Sequence, residues 1–285
     1  MLELLINPRR AEKKPWEMFF IGLIYATLSM LIGMMFLSDP VLSNYAGIFV
    51  ITFCVIFSMP FIYYTLKLEE RKDINYMGES RLLAEHGKAI KTFLWLFLGF
   101  VVAFAVGYMV IDNGENLFKA QIETFCQINQ PNNFNNCVKQ YGVQKSEVIT
   151  GAVTSGEYFF NILMNNVYVM IFTLILSLAF GAGAIFILVW NASVIASAIA
   201  IFVKSDITHL IFGLSRYMIH GLPEISAYFV AALSGGLLSM AVMRHDTRGE
   251  QFWVVMLDSI ILLMIAVLIL VISALIEVFI TPKLF

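Results

Sequence analysis

The sequence predicts an all-α fold, a polytopic transmembrane helical bundle of about seven spans with a small extracytoplasmic helical insertion. Composition is the first reason: 60% of the 285 residues are hydrophobic and 13% are charged, whereas soluble domains average about 45–50% apolar and about 25% charged residues. The second reason is the mean hydropathy of +0.82. The net charge of −2, from 18 basic and 20 acidic residues, excludes a basic nucleic-acid-binding domain, so no nucleic acid is expected as a partner.

Apolar stretches of about 20 residues, the length that crosses a bilayer, define the spans. Five stand out: Trp16–Leu37, Ala46–Leu66, Thr92–Ile111, Gly221–Met243 and Phe252–Ile280. A further apolar region, Phe159–Val203, has 45 residues and is too long for one crossing. A glycine turn at 181–183 would divide it into Phe159–Phe180 and Gly183–Val203, giving seven spans. The alternative is one long span followed by a short re-entrant piece around Asn191–Val203, giving six.

Lysine and arginine indicate the orientation, because short cytoplasmic loops are enriched in them. With the N-terminus inside, seven spans leave twelve basic residues inside and six outside, whereas six spans leave ten and eight. We therefore expect a cell-membrane protein with a cytoplasmic N-terminus and with residues 112–158 extracytoplasmic. The chain then divides into a three-span segment (1–111), the insertion (112–158) and a four-span core (159–285), which together form one membrane domain.

The insertion has room for structure of its own. Phe118, Ile122 and Phe125 recur at helical spacing and predict a short amphipathic helix after the third span. Cys126 and Cys137 flank a polar stretch of ten residues. Because an extracytoplasmic location permits oxidation, we expect a disulfide between them, with two free thiols as the alternative.

Two segments outside the spans carry patterns that are open to interpretation. The inner loop Lys67–Lys91 is dense in both charge signs, which is typical of a solvated surface, and an interfacial helix at Leu82–Lys88 is expected to lead into the third span; a docking site for a cytoplasmic partner is the alternative. Between the fifth and sixth spans, an apolar stripe from Ile207 to Met218 predicts a separate surface helix in the plane of the interface. Pro223 would then lie in the first turn of the sixth span.

Polar groups within spans are costly and are the first place to look for function. The candidate intramembrane cluster consists of Asn165, Asn166, Asn191, His220, Glu224 and Asp258; Glu277 also lies in the last span. These residues would cap helices and bond across them, or form a proton or ion pathway with Asp258, or belong to a metalloprotease site. Zinc catalysis needs three protein ligands and an open position, and no His-Glu-x-x-His motif is present, so we expect no metal and no cofactor.

Small residues predict where helices approach closely. Ala192, Ala196 and Ala200 form a ridge on the fifth span, and Gly235 and Gly236 offer a flat surface on the sixth. Because small side chains let helix backbones approach one another, we expect these two spans to pack tightly together.

Several of these motifs occur together in a known family. The run from Phe180 to Ser193 (Phe-Gly-Ala-Gly-Ala-Ile-Phe-Ile-Leu-Val-Trp-Asn-Ala-Ser), the preceding asparagine pair, the His-Gly-Leu-Pro-Glu stretch at 220–224 and the later Ser-Gly-Gly at 234–236 resemble the stage II sporulation protein M family of integral membrane proteins. The Glu85-His86-Gly87-Lys88 run before Phe97-Leu98-Gly99 is similar to its archaeal branch. This chain departs from the short bacterial form in its insertion, and in having Asn191-Ala192 where bacterial members often carry Asn-Gly.

The resemblance implies a membrane scaffold that localises peptidoglycan-degrading partners in spore-forming bacteria, and it supplies no catalytic residues. We therefore expect a non-enzymatic scaffold or accessory subunit of an envelope complex, whose partners are the lipid bilayer and a protein of the envelope, with a homo-oligomer left open. The alternative is a transporter or permease-like subunit that moves an ion or small solute through a polar path between spans 4–7. An intramembrane hydrolase is the third reading.

Overall fold

The computed structural model describes residues 7–75, 79–112, 114–129, 134–141, 155–181, 184–205, 210–243 and 249–284. These residues form helices, and no strand occurs among them, which confirms the predicted all-α fold. The helices are α1 Pro8–Lys13, α2 Glu17–Met34, α3 Ala46–Asn75, α4 Glu79–Val110, α5 Gly114–Leu117, α6 Lys119–Asn129, α7 Phe134–Tyr141, α8 Ser155–Phe180, α9 Ile185–Ser205, α10 Leu210–Met243, α11 Glu250–Leu275 and α12 Thr281–Leu284. A 3₁₀ turn, Leu42–Tyr45, precedes α3, and a π-helical turn, Ile276–Ile280, joins α11 to α12.

Among the described residues, six helices are long and apolar enough to cross a membrane, at Glu17–Met34, Leu42–Lys72, Ala84–Val110, Ile162–Phe180, Met218–Met243 and Gln251–Ile280. A shorter apolar stretch, Ile185–Ile201, belongs to α9. The predicted break between the fourth and fifth spans falls where α8 ends, and Gly181 has a φ of +61° there, a conformation that glycine adopts without strain. Ala182 and Gly183 lie outside the described residues. The count of seven spans stays a prediction.

Helix α9 lies at the centre of the bundle. None of its described side chains between Ile185 and Ile201 is exposed, and α3, α4, α6 and α10 pack around it. Helices α10 and α11 run antiparallel: the Ser234 hydroxyl donates to the carbonyl of Ser259 at 2.7 Å, and the Ser273 hydroxyl donates to the carbonyl of His220 at 2.7 Å. These two contacts fix which residues of the last two long helices face each other.

The bundle has two distinct ends. We call the end that carries α5–α7 the insertion end, and the opposite end, where α3 ends and α4 begins, the charged end. The turn after α8 lies toward the charged end, because Gly181 shares a small cavity with Leu66 of α3, Phe93 of α4 and Phe229 of α10. Helix α8 therefore begins toward the insertion end, and α9 returns to it, where it meets α6.

Helices extend further than the sequence predicts in two places. The described part of the charge-dense segment 67–91 is helical: α3 continues to Asn75, beyond the predicted end of the second span, and α4 begins at Glu79 and includes the predicted interfacial helix. The prediction of a separate surface helix before the sixth span is wrong, because α10 runs unbroken from Leu210 to Met243 with Pro223 inside it. A proline removes one helical hydrogen bond, which membrane helices tolerate when neighbouring groups compensate. Residues 207–209 and the predicted inner loop 244–248 lie outside the described residues.

The insertion folds against the bundle as its apolar spacing predicts. Phe118, Ile122 and Phe125 are buried at and along α6, and the side-chain amide of Gln121 donates to the carbonyl of Gly47 at 3.4 Å. A disulfide joins Cys126 at α6 to Cys137 in α7, with their Cα atoms 5.7 Å apart. Residues 142–154 of the insertion lie outside the described residues.

The small residues of the fifth and sixth spans contact different neighbours. Ala192, Ala196 and Ala200 are fully buried in the bundle. A Cβ at Gly235 would lie 2.9 Å from the carbonyl oxygen of Leu174 in α8, and one at Gly236 would lie 2.6 Å from the side chain of Leu66 in α3. The two glycines therefore let α8 and α3 approach α10; α9 and α10 are also in contact, and a match between the glycines and the alanine ridge stays a prediction.

Candidate functional site

Polar side chains from α8, α10 and the end of α11 meet toward the insertion end. We call this group the polar cluster; its members are Asn166, His220, Glu224, Tyr228, Ser273, Glu277 and Thr281. At its centre the Tyr228 hydroxyl donates to Oε1 of Glu224 at 2.7 Å. The side-chain amide of Asn166, on α8, also lies close enough to the Glu224 carboxyl group to interact with it. One carboxyl group thus connects α8 to α10.

Helix geometry aligns the α10 members of the cluster. His220, Glu224 and Tyr228 are spaced four residues apart, so they follow one face of the helix. Pro223 lies within this stretch and lacks an amide hydrogen, which leaves the carbonyl of Ile219 without its usual helical donor. Tyr228 is fully buried and Asn166 is 5% exposed, so each needs a hydrogen-bond partner within the bundle.

The second half of the cluster comes from the π-helical turn after α11 and from the start of α12. Nε2 of His220 lies 4.0 Å from Oε1 of Glu277, and Nδ1 of His220 lies 3.5 Å from the Thr281 hydroxyl. Glu277 lies in the π-helical turn Ile276–Ile280, a local widening that is frequent at functional sites in helices. The Glu277 carboxyl group is also close enough to Glu224 for their charges to interact. Two carboxyl groups and an imidazole therefore share one region between two helices.

The predicted cluster is brought together only in part. Asn166, His220 and Glu224 lie in this cluster, whereas Asn165 is exposed and its side-chain amide donates to the side-chain oxygen of Asn166 at 3.4 Å. The side-chain amide of Asn191 donates to the carbonyl of Ile187 in its own helix at 2.8 Å. Asp258 lies 19 residues before Glu277 on the same helix, which corresponds to about 28 Å at 1.5 Å per residue. Asp258 therefore lies toward the opposite end of the bundle.

Sequence reasoning missed Tyr228, Ser273 and Thr281 as members, and it noted Glu277 without connecting it to the others. One signal was available for Tyr228, since it follows Glu224 by one helical turn. For Glu277 the signal was the short connection between the last two spans, which makes them antiparallel neighbours. The side chains of the assembled cluster make contacts that join neighbouring helices. Within the described residues, no three His, Cys, Asp or Glu side chains converge as metal ligands would.

A second polar group, which the sequence does not predict, lies at the charged end. Nζ of Lys72 contacts carboxylate oxygens of Glu12 at 2.8 Å, of Glu69 at 2.7 Å and of Glu85 at 3.5 Å. Nδ1 of His86 lies 2.8 Å from the other oxygen of Glu69. We call these five residues the charged network. Glu69 and His86 are buried, so the network fastens α1 to α3 and α4.

The charged network predicts that the attachment of α1 depends on pH. Burial, followed by a hydrogen bond to Glu69, raises the pKa of Glu12 to about 7, while Lys72 acts in the opposite direction. A carboxyl group with a raised pKa in the folded state stabilises the fold fully below its unfolded pKa, and this contribution is lost as the pH rises through the folded value. We therefore expect the attachment of α1 to weaken between about pH 5 and 8, by roughly 1–2 kcal/mol.

Hydrogen–deuterium exchange of the α1 amides, corrected for the intrinsic rate, measures this weakening. Glu12→Gln keeps the shape of the side chain and removes its titration, so the pH dependence should flatten. Lys13→Gln changes an exposed neighbour and should retain the full dependence. An unchanged slope in Glu12→Gln would assign the effect to another group.

Comparison with known proteins identifies a family. The family model described as Stage II sporulation protein M matches residues 94–282, about two thirds of the chain. The matched region includes the insertion, α8 to α11 and every member of the polar cluster. No curated protein and no solved structure matches the chain significantly. The match assigns no branch within the family.

Proposed function

The chain belongs to the stage II sporulation protein M family, and from this premise we propose that it is a non-enzymatic scaffold or accessory subunit of an envelope complex. The proposed partner is a soluble or anchored envelope protein that binds the insertion on the extracytoplasmic side. The observation that carries the proposal is the attachment of the insertion to the centre of the bundle, since a docking surface must be held in a fixed position to localise a partner.

Three kinds of contact support a fixed insertion. Leu117, Phe118 and Ile122 are fully buried, and α6 packs on the central helix α9. The Nζ of Lys119 donates to the side-chain oxygen of Asn44 at 3.3 Å. The disulfide then holds α7 beside α6, and closing a loop of this length contributes on the order of 3 kcal/mol by chain entropy. Exposed polar residues of α7, such as Asn135 and Lys139, remain on the outer surface of this platform.

The use of the intramembrane polar groups also favours a scaffold. Glu224 accepts from Tyr228 within α10 and interacts with Asn166 of α8, and Ser177 of α8 donates to the carbonyl of Ala232 in α10 at 2.6 Å. Asp258, about 28 Å from Glu277 along α11, does not extend these groups into a continuous row. Contacts of this kind hold helices in place and leave few polar atoms for a moving solute.

Affinity capture from native membranes after mild crosslinking tests the proposal. We expect the wild-type chain to recover an envelope protein in stoichiometric amount. The variant Cys126→Ser/Cys137→Ser should recover at least tenfold less of that protein, because α7 is released from α6. Cys54→Ser is the matched control, since it removes a buried cysteine of α3 and leaves the insertion intact. Recovery of the wild-type chain alone, or only with copies of itself, would contradict the proposal.

A transporter or permease-like subunit is the second candidate function. The observation that favours it is Glu277 beside His220 at a π-helical turn, with Glu224 close enough to Glu277 for their charges to interact, because intramembrane carboxyl groups beside an imidazole are also the components of proton relays. Proton or solute flux into liposomes would support this reading if Glu224→Gln abolished it.

A further inference from the structure

A groove at the charged end lies apart from both polar groups described above. It has a volume of about 710 Å³ and runs between α1, α2 and α3. Its apolar part is lined by Tyr25, Ile56, Phe57 and Pro60, and its other part by the basic residues Arg9, Lys67 and Arg71. We propose that this groove binds one anionic phospholipid, with the phosphate at the basic part and an acyl chain along the apolar part.

The spacing of the lining residues fits this class of ligand. Ile56 and Lys67 are eleven residues apart on α3, which corresponds to about 16 Å along the helix. Ile56 is 53% exposed and Tyr64, between them, is 47% exposed, so the groove opens sideways to the bilayer. A free phosphate ion would use the basic part alone and would leave the apolar part without a function, whereas a phospholipid uses both.

The charges of the groove are arranged for an anion. Within the described part of the chain, Arg9 and Lys67 form no ion pair with an acidic side chain. Three acidic residues near this end, Glu12, Glu69 and Glu85, contact Lys72 in the charged network instead. The last turns of α3 thus direct Glu69 into the bundle and Lys67 and Arg71 toward the groove. Basic pockets between helices on the cytoplasmic side are typical binding sites for anionic lipid headgroups.

Native mass spectrometry of the full chain in neutral detergent tests the proposal. Phosphatidylglycerol and phosphatidylcholine with the same acyl chains are titrated separately. We expect one phosphatidylglycerol to bind at least tenfold more tightly than phosphatidylcholine. Arg9→Gln/Lys67→Gln should weaken phosphatidylglycerol binding about 30-fold, as expected for the loss of two basic residues near the phosphate. Lys13→Gln/Lys91→Gln removes two exposed charges near the same end, outside the groove, and should leave binding unchanged.

Two further measurements distinguish binding of the whole lipid from binding of its headgroup alone. Ile56→Trp fills the apolar part without changing a charge, and we expect at least a tenfold loss of phosphatidylglycerol binding. Ile48→Trp, at an exposed position of the same helix outside the groove, is its control and should bind normally. Glycerol phosphate in large excess should not displace the lipid. Displacement by glycerol phosphate, equal binding of both lipids, or equal losses in the groove variants and their controls would each overturn the proposal.

Discussion

Replacing Gly99 by leucine should prevent α4 from packing on α2, and with it the assembly of the bundle. A Cβ at Gly99 would lie 2.2 Å from the carbonyl oxygen of Phe19 and 3.0 Å from Cα of Gly22. A Cβ at Gly22 would lie 2.3 Å from the carbonyl oxygen of Leu96. These neighbours are backbone atoms, so no side chain can rotate away and the two helices would have to separate by about 1 Å or more, which a close-packed interior does not absorb.

Close approach matters here because the hydrophobic effect contributes little to the association of helices within lipid. Packing between the helices therefore supplies much of the association free energy. Gly99→Ala should cost about 1–3 kcal/mol of the free energy of unfolding, the usual range for overpacking, and Gly99→Leu more. Unfolding in a titration with a denaturing detergent measures the loss.

Gly87→Leu is the matched control for Gly99→Leu. It lies on the same helix, and a Cβ there would have no atom within 4 Å. Leucine is also the better helix former by about 1 kcal/mol, so Gly87→Leu should be neutral or slightly stabilising. Similar unfolding curves for the two leucine variants would show that the α2–α4 contact does not limit stability.

The sequence predicts those features that depend on one segment at a time. Hydropathy alone locates the long apolar helices, and the spacing of Phe118, Ile122 and Phe125 predicts α6, because each signal lies within one element. The glycine at position 181 marks the end of α8 because a left-handed φ is a property of a single residue. The membrane bundle and the helix of the insertion were therefore accessible before any contact was known.

Contacts between helices were not accessible in the same way. Asp258 and Glu277 both lie in the last span, and only the antiparallel register of α10 and α11 determines that Glu277 meets His220 while Asp258 lies about 28 Å away. The charges of segment 67–91 indicate a solvated loop when read one residue at a time. In the fold, Nδ1 of His86 pairs with the Glu69 carboxyl group, which lowers the cost of burying both side chains. Pairing of this kind depends on two distant positions together.

Exchanging Glu224 for leucine should have the largest effect on function, whereas exchanging it for glutamine should have little effect. Leucine removes the acceptor of the Tyr228 hydroxyl and the partner of Asn166, and both of these groups are buried. Leaving two buried polar groups unsatisfied and losing their bonds should cost roughly 2–4 kcal/mol. We expect α8 and α10 to separate near the insertion end, and capture of the envelope partner to fall at least tenfold.

Glutamine separates the two candidate functions, because it keeps the hydrogen bonds and removes the titratable proton. Its side-chain oxygen still accepts from Tyr228, and the amide of Asn166 can turn to offer its oxygen to the glutamine amide. If the polar cluster is a tie between helices, Glu224→Gln retains wild-type unfolding and partner capture within about 1 kcal/mol. If the cluster is a proton relay, the same variant folds normally and loses flux, since a carboxamide cannot release a proton. A glutamine variant that unfolds as readily as the leucine variant contradicts both mechanisms, because it would make the ionised carboxylate itself the group that holds α8 to α10.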